Sequence, residues 1–148
     1  MVKAKDFMDY LCNTLEFRFF SGVPCSELQL LYNEMDSNKM HYIPAVTEII
    51  AVGIASGVWI SNIRSCVLID SKNIDSIKPI LNDINIKMKI PILFILGGDF
   101  KSDCFNTALL HKNYKKQLDD VVNYMDAEKL PSGILIKAGY LSWTEIIL

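Results

Sequence analysis

The chain of 148 residues is poor in the side chains that build metal centres. It has two histidines, His41 and His111, and four cysteines, Cys12, Cys25, Cys66 and Cys104, widely separated and with no C-x-x-C pair. No zinc-ligand spacing can be written from that set, so no metal site is expected of this chain. Scattered single cysteines read as reduced intracellular thiols. A basic surplus is also missing: 15 Lys and Arg stand against 17 Asp and Glu, for a formal charge of −2. That argues against a nucleic-acid role, which needs a clustered positive surface. The one basic run, HKNYKK at 111–116, is followed at once by Asp119 and Asp120 and reads as a solvated helix face. There is no G-x-G-x-x-G and no G-x-x-x-x-G-K-[ST], so dinucleotide and P-loop binding have no motif. The N-terminal MVKAKDFMDYLCNTL lacks the apolar stretch of a secretory signal, and the expectation is a cytoplasmic protein.

What is present is apolar residue in quantity: 51% hydrophobic against 22% charged, the balance of a globular chain. The length matches one domain spanning 1–148. One stretch, Ile43 to Ile60, approaches a membrane-spanning length and contains Gly53 and Gly57 in G-x-x-x-G spacing. Pro44 near its start, Glu48 within it and the lack of flanking basic anchors argue instead for a strand followed by a closely packed helix, with no membrane span.

Short β-branched and aromatic runs alternate with helix-length segments. The spacing of Phe7, Met8, Leu11 and Leu15 predicts a helix over 3–16. FRFF (17–20) predicts a strand, SGVPCS (21–26) a turn, and a helix follows to about Met35. HYIPAV (41–46), SCVLID (65–70), PILFIL (91–96) and GILIK (133–137) predict strands, with helices from Glu48 to Ser61, Ile74 to Asn85 and Asn113 to Met125. Continuous apolar strands alternating with helices define an α/β fold, a parallel sheet in three layers with helices on both faces. Ligands of such sheets bind at the carboxyl ends of the strands. The loops there are SGVPCS, the segment at Thr47-Glu48, DSKNID and GGDF; the last matches the letters of the diguanylate cyclase signature but lacks its following acidic residue and reads as a turn.

Glu48 is the single charge in HYIPAVTEIIAVGIASGVWI (41–60). An isolated carboxylate among apolar groups is costly, so it demands a partner, and a helix N-terminus favours it. By itself that position equally fits a solvated or capping glutamate. The wider run FFSGVPCSELQLL (19–31), TEIIAVGIASG (47–57), CVLIDSKNIDSIKP (66–79), IPILFILGG (90–98) and LPSGILIKAGYL (130–141) resembles the pyrimidine-binding domain of thiamine-diphosphate enzymes, most closely the phosphonopyruvate and sulfopyruvate decarboxylases. The resemblance implies that Glu48 is the activating glutamate, which hydrogen-bonds N1′ of the aminopyrimidine and promotes the imino tautomer needed for C2 deprotonation. It places Gly22, Val23 and Pro24 against the cofactor and offers Ser26, Ser71, Lys72 and His111 as substrate contacts.

The resemblance also implies what this chain must obtain elsewhere. In such enzymes a second domain with a Gly-Asp-Gly…Asn segment holds the diphosphate and Mg²⁺, and these 148 residues contain none. The expected partner is a separate diphosphate-binding β subunit, in a hetero-oligomer such as α2β2 or larger. The small residues Ala51, Gly53, Ala55, Ser56 and Gly57 fit close helix packing, either within the domain or against another subunit. One loop departs from the pattern: Asp70-Ser71-Lys72-Asn73-Ile74-Asp75 replaces Asn-Ser-Gly-Leu-Gly-Asn. The expected activity is decarboxylation of a 2-oxo acid; the alternatives are a carboligase or acyl-transfer subunit, and a degenerate interaction subunit.

Overall fold

A computed structural model describes residues 1–35, 39–99 and 103–142. Six parallel strands form the main sheet: β2 (Phe19–Gly22), β3 (His41–Pro44), β4 (Ser65–Asp70), β5 (Leu93–Gly97), β6 (Asn106–Leu109) and β7 (Ser132–Ile136), in the spatial order β3-β2-β4-β5-β7-β6. A small parallel pair sets β1 (Val2–Lys3) beside β8 (Leu141–Ser142). The expected three-layer parallel α/β architecture is thus present.

The central strands are covered on both faces, which is why β4 and β5 read as unbroken apolar runs: Cys66 to Ile69 and Leu93 to Leu96 are all fully buried. On one face Phe20, Leu68, Leu93, Ile95 and Ile134 pack with α1 (Ala4–Asp9), the short α2 (Gln29–Asn33) and α5 (Tyr114–Glu128). On the other, Phe19, Val67, Ile69, Leu96 and Leu135 pack with α3 (Glu48–Ile60) and the segment 71–86.

Several bounds differ from the sequence reading, each for a physical reason. The first sheet strand is Phe19–Gly22 rather than 17–20, because Ser21 and Gly22 pair with β3 and β4 although they carry turn residues. Gly22 belongs there because a side chain would run into the Leu68 carbonyl oxygen. The helix expected from Ile74 is a 3₁₀ segment Ser71–Ile77, one turn of α4 (Lys78–Ile80) and a π-type segment Leu81–Ile86. Asn85 anchors that irregular stretch from within, its buried amide donating to Ser56 Oγ at 2.9 Å and to the Ile90 carbonyl at 3.2 Å. The first helix likewise loosens into a π-type turn over Tyr10–Thr14. β6 went unpredicted. At Gly97–Gly98 the GGDF turn ends β5, and its Phe100 lies outside the described residues.

Among the described residues no helix is long and apolar enough to cross a membrane, and the stretch 43–60 divides into a strand and a helix as expected. The small residues of α3 divide too. Ala51, Ala55 and Ser56 are buried, whereas a Cβ added at Gly53 or Gly57 meets nothing within 4 Å, so close packing inside the domain is not what those two glycines serve. Gly22→Ala is expected to lower stability by about 1–3 kcal/mol through overpacking against backbone, read as a lower midpoint in urea unfolding, whereas Gly57→Ala should leave the midpoint unchanged or raise it.

Candidate functional site

The sheet order reverses at β2: the chain steps outward to β3 and returns across β2 to β4, so the loops after β2 and β4 diverge to opposite faces. The returning segment is α3. Thr47 caps it, in extended backbone, its Oγ1 accepting from the Ile50 N–H at 3.3 Å. Glu48 therefore occupies the first helical position, half-buried, where unpaired backbone N–H groups favour a carboxylate.

Across from it lies the loop after β4. Asp70 is the cap of the 3₁₀ segment, accepting from the Lys72 N–H at 3.0 Å, and its carboxylate also pairs with Lys72 Nζ at 3.6 Å. Ser71 is buried beneath Gly98, whose φ of 123° and lack of room (a Cβ would sit 2.5 Å from Ser71 Oγ) restrict that position to glycine. Asn73, two residues on, donates from Nδ2 to Glu48 Oε1 at 3.1 Å. Oε2 of Glu48 makes no hydrogen bond among the described residues.

The third wall is the turn after β2. Val23 is half-buried and Pro24 exposed, and Ser26 opens a 3₁₀ turn, Ser26–Leu28, that presses Glu27 and Leu28 against Gly97 at the end of β5. The Ser26 hydroxyl donates to Glu27 Oε2 at 3.1 Å. Cys25 starts that turn. Burial pushes its thiol up first, Asp70 and Glu27 add to the rise, and the Leu28 backbone N–H opposes it. Cys25 is therefore protonated at neutral pH and is no nucleophile there. Beside it Tyr32 packs against Tyr42 with tilted ring planes, 5.4 Å between ring centres, its phenol pushed far up by burial.

The structure thus gathers Glu48, Lys72, Ser71 and the 22–26 turn at one edge of the sheet. His111 is not with them. It precedes α5, accepting from the Asn113 N–H at Nδ1 at 3.1 Å, and follows β6, the strand at the opposite edge from β3. β6 lies three strand spacings from β4 and four from β2, the strands whose loops carry the cluster, about 14–19 Å. Ser71 is sealed under Gly98 rather than presented to solution. Asn73 is the site residue sequence reading missed: nothing in the pattern of 70–75 marks it, and its role emerges only where the crossover returns Glu48 beside it.

No family profile matches the sequence, and no curated protein matches it. Solved structures do match the fold. Benzoylformate decarboxylase from Polynucleobacter necessarius superposes with a TM-score of 0.76 at 16% identity, over 100% of this chain and 32% of that one. The 2-oxoglutarate:ferredoxin oxidoreductase from Magnetococcus marinus, solved with 2-oxoglutarate, coenzyme A and succinyl-CoA bound, gives 0.71 at 11% identity over 94% and 29%. An enzyme of Mycobacterium smegmatis described as thiamin diphosphate-dependent gives 0.69 at 12% identity over 97% and 34%. The chain spans about a third of the length of each. At neutral pH, iodoacetamide should modify Cys25 more slowly than a free cysteine, with the rate rising through alkaline pH; mass spectrometry of timed digests measures it.

Proposed function

We propose that this chain is the pyrimidine-binding α subunit of a heteromeric thiamine-diphosphate-dependent 2-oxo acid decarboxylase. The observation that carries the reading is Glu48: a carboxylate at a helix start, on the carboxyl edge beside the strand-order reversal, anchored through one oxygen and free at the other. The shared fold with a decarboxylase and with an enzyme described as thiamin diphosphate-dependent supports it.

The residues present fit one end of that cofactor. A carboxyl group with a free oxygen is the donor or acceptor that a pyrimidine nitrogen requires, and the Val23-Pro24 turn offers an apolar flank. They do not fit the other end. Among the described residues the one cluster with metal-ligand types, Asp75, Asp103 and Cys104, has Lys78 Nζ within 3.1 Å of Asp75 and 3.4 Å of Asp103. On this reading the diphosphate and Mg²⁺ are held by a partner subunit. When bound, the cofactor supplies the electron sink for the carbanion left by CO₂ loss. Glu48 holds the pyrimidine and exchanges a proton with its ring nitrogen; the 22–26 turn bounds the pocket; Lys72, two-thirds exposed, lies where an anionic substrate group such as a phosphonate or sulfonate would enter.

The partner's place is the outward face of α3. Ile49, Ile50 and Ile60 are 47%, 45% and 64% exposed and share a face with Gly53 and Gly57, and Val46, just before the helix, is 83% exposed. A helix apolar on all sides is normally buried. Glu48 lies at the start of the same helix, in line with the buried Ala51, Val52 and Ala55, so a subunit seated over this face and across the helix start would bring its cofactor site to the free carboxyl oxygen.

Combined with a diphosphate-binding subunit, thiamine diphosphate and Mg²⁺, the chain should release CO₂ from phosphonopyruvate or sulfopyruvate, measured by coupled CO₂ assay. Glu48→Gln should lower kcat by about 10²–10⁴-fold; undiminished activity would overturn the assignment, and a complex that binds no thiamine diphosphate would mark an interaction subunit. Gly53→Trp should leave the isolated chain folded, since nothing lies within 4 Å of that position, and abolish assembly in size-exclusion chromatography.

A further inference from the structure

Asn73 stands where the resembling enzymes carry leucine in the loop Asn-Ser-Gly-Leu-Gly-Asn, and a leucine has no donor. Here its amide reaches 25 residues back along the chain to Glu48 Oε1 at 3.1 Å. The turn that carries it is held at several points. Asp70 caps its start, Ser76 Oγ donates to the Asn73 carbonyl at 2.7 Å, and Ile74 and Ile77 are buried in the core below. Ser71 is locked under Gly98. The neighbouring charges are engaged elsewhere: Asp70 with Lys72, and Asp75 and Asp103 with Lys78. α3 contributes Glu48 alone, so that carboxyl is the charged group the amide faces.

The chemistry of an amide N–H makes the contact selective. It donates only, and a carboxylic acid accepts best at its carbonyl-type oxygen, while the other oxygen bears the proton. We infer that Asn73 is a positioning residue that assigns the two oxygens of Glu48, fixing Oε1 as the anchored acceptor and leaving Oε2 as the proton-bearing oxygen presented to the ring nitrogen of the aminopyrimidine. This rests on the thiamine-diphosphate reading of Glu48. The proton balance is closed, because one proton is held between Oε2 and the ring nitrogen and none is lost to Asn73. The rewritten loop is then no vestige: its two lost glycines gave way to a 3₁₀ turn whose third residue sets the carboxyl.

Asn73→Ala and the isosteric Asn73→Asp separate positioning from packing, with Glu48→Gln as reference. In the isolated chain labelled with ¹³C at the glutamate carboxyls, the Glu48 signal should move in Asn73→Ala while the thermal midpoint stays unchanged. In the assembled complex, Asn73→Ala should lower kcat about tenfold, the worth of one hydrogen bond, with little change in KM for substrate. Asn73→Asp should be at least as impaired at pH 8 and recover as pH falls, because the introduced carboxyl donates to Oε1 again once protonated; Asn73→Ala should show no such recovery. Parallel pH profiles for the two variants, an unmoved Glu48 carboxyl signal, or wild-type kcat in Asn73→Ala while Glu48→Gln is inactive would overturn the assignment of Asn73 alone. Full activity in Glu48→Gln would overturn both this inference and the reading it rests on.

Discussion

The parallel pairing of β2 with β4 governs everything at the carboxyl edge. β2 sits between β3 and β4, so a chain that has stepped out to β3 must cross back over β2 to continue the sheet. The crossing takes a helix, since parallel strands cannot be joined by a tight turn. That helix must lay a narrow, small-residue face on the sheet, and Ala51, Val52 and Ala55 do so over Phe19, Val67 and Ile69. Because the strands are parallel, the crossing starts at the carboxyl edge, and its first turn, with Glu48, emerges beside the loops that follow β2 and β4. The location of the carboxylate is a consequence of topology. Gly22 is the local condition for it: with any side chain there, β2 could not lie as close to the Leu68 carbonyl of β4.

What could be read in the sequence, and what could not, divides along the same lines. β4 lies at Ser65–Asp70, as expected, because a strand buried on both faces must be apolar at every position and is bounded where polarity returns. α3 was legible as a helix from Glu48 to Ser61, and it spans Glu48–Ile60 with the Thr47 hydroxyl as its cap. β6 was not, because Asn106–Leu109 lies at the sheet edge, where only Thr107 is buried and no alternation or apolar run is demanded. The segment 71–86 misled for a different reason. Its apolar residues Ile74, Ile77, Leu81 and Ile84 keep near-helical spacing, but Asp70 holds the start in a 3₁₀ turn and the buried Asn85 draws the end into wider turns. Side-chain hydrogen bonds to backbone and to Ser56 override periodicity there, and periodicity was the signal available.

The candidate site was half legible in the same sense. Glu48 announced itself as a charge without local reason, and its surroundings explain it. His111 had the right chemistry but sits at the far edge of the sheet, since β6 is the outermost strand while its place in the chain gives no hint of that. Asn73 had no chemistry to single it out among polar loop residues. A contact of 3.1 Å between positions 48 and 73 exists only because the crossover brings them together, and no spacing rule within either segment encodes it.

The two unmet demands of this fold lie on one element. The first turn of α3 carries a carboxylate with an unengaged oxygen, in line with the buried Ala51, Val52 and Ala55, and the opposite, outward face, with Ile49, Ile50, Gly53, Gly57 and Ile60, is apolar and open. A helix of 13 residues is about 20 Å long, so the adhesive surface and the reactive group lie within one contact footprint. Burying that face is favourable through area alone; burying Glu48 with it is costly unless the incoming surface brings a polar partner for Oε2. A purely apolar surface that also covered the helix start would therefore be disfavoured at Glu48. A surface that meets both demands combines close apolar packing along the glycines with a hydrogen-bonding group that reaches across the helix start to the carboxyl.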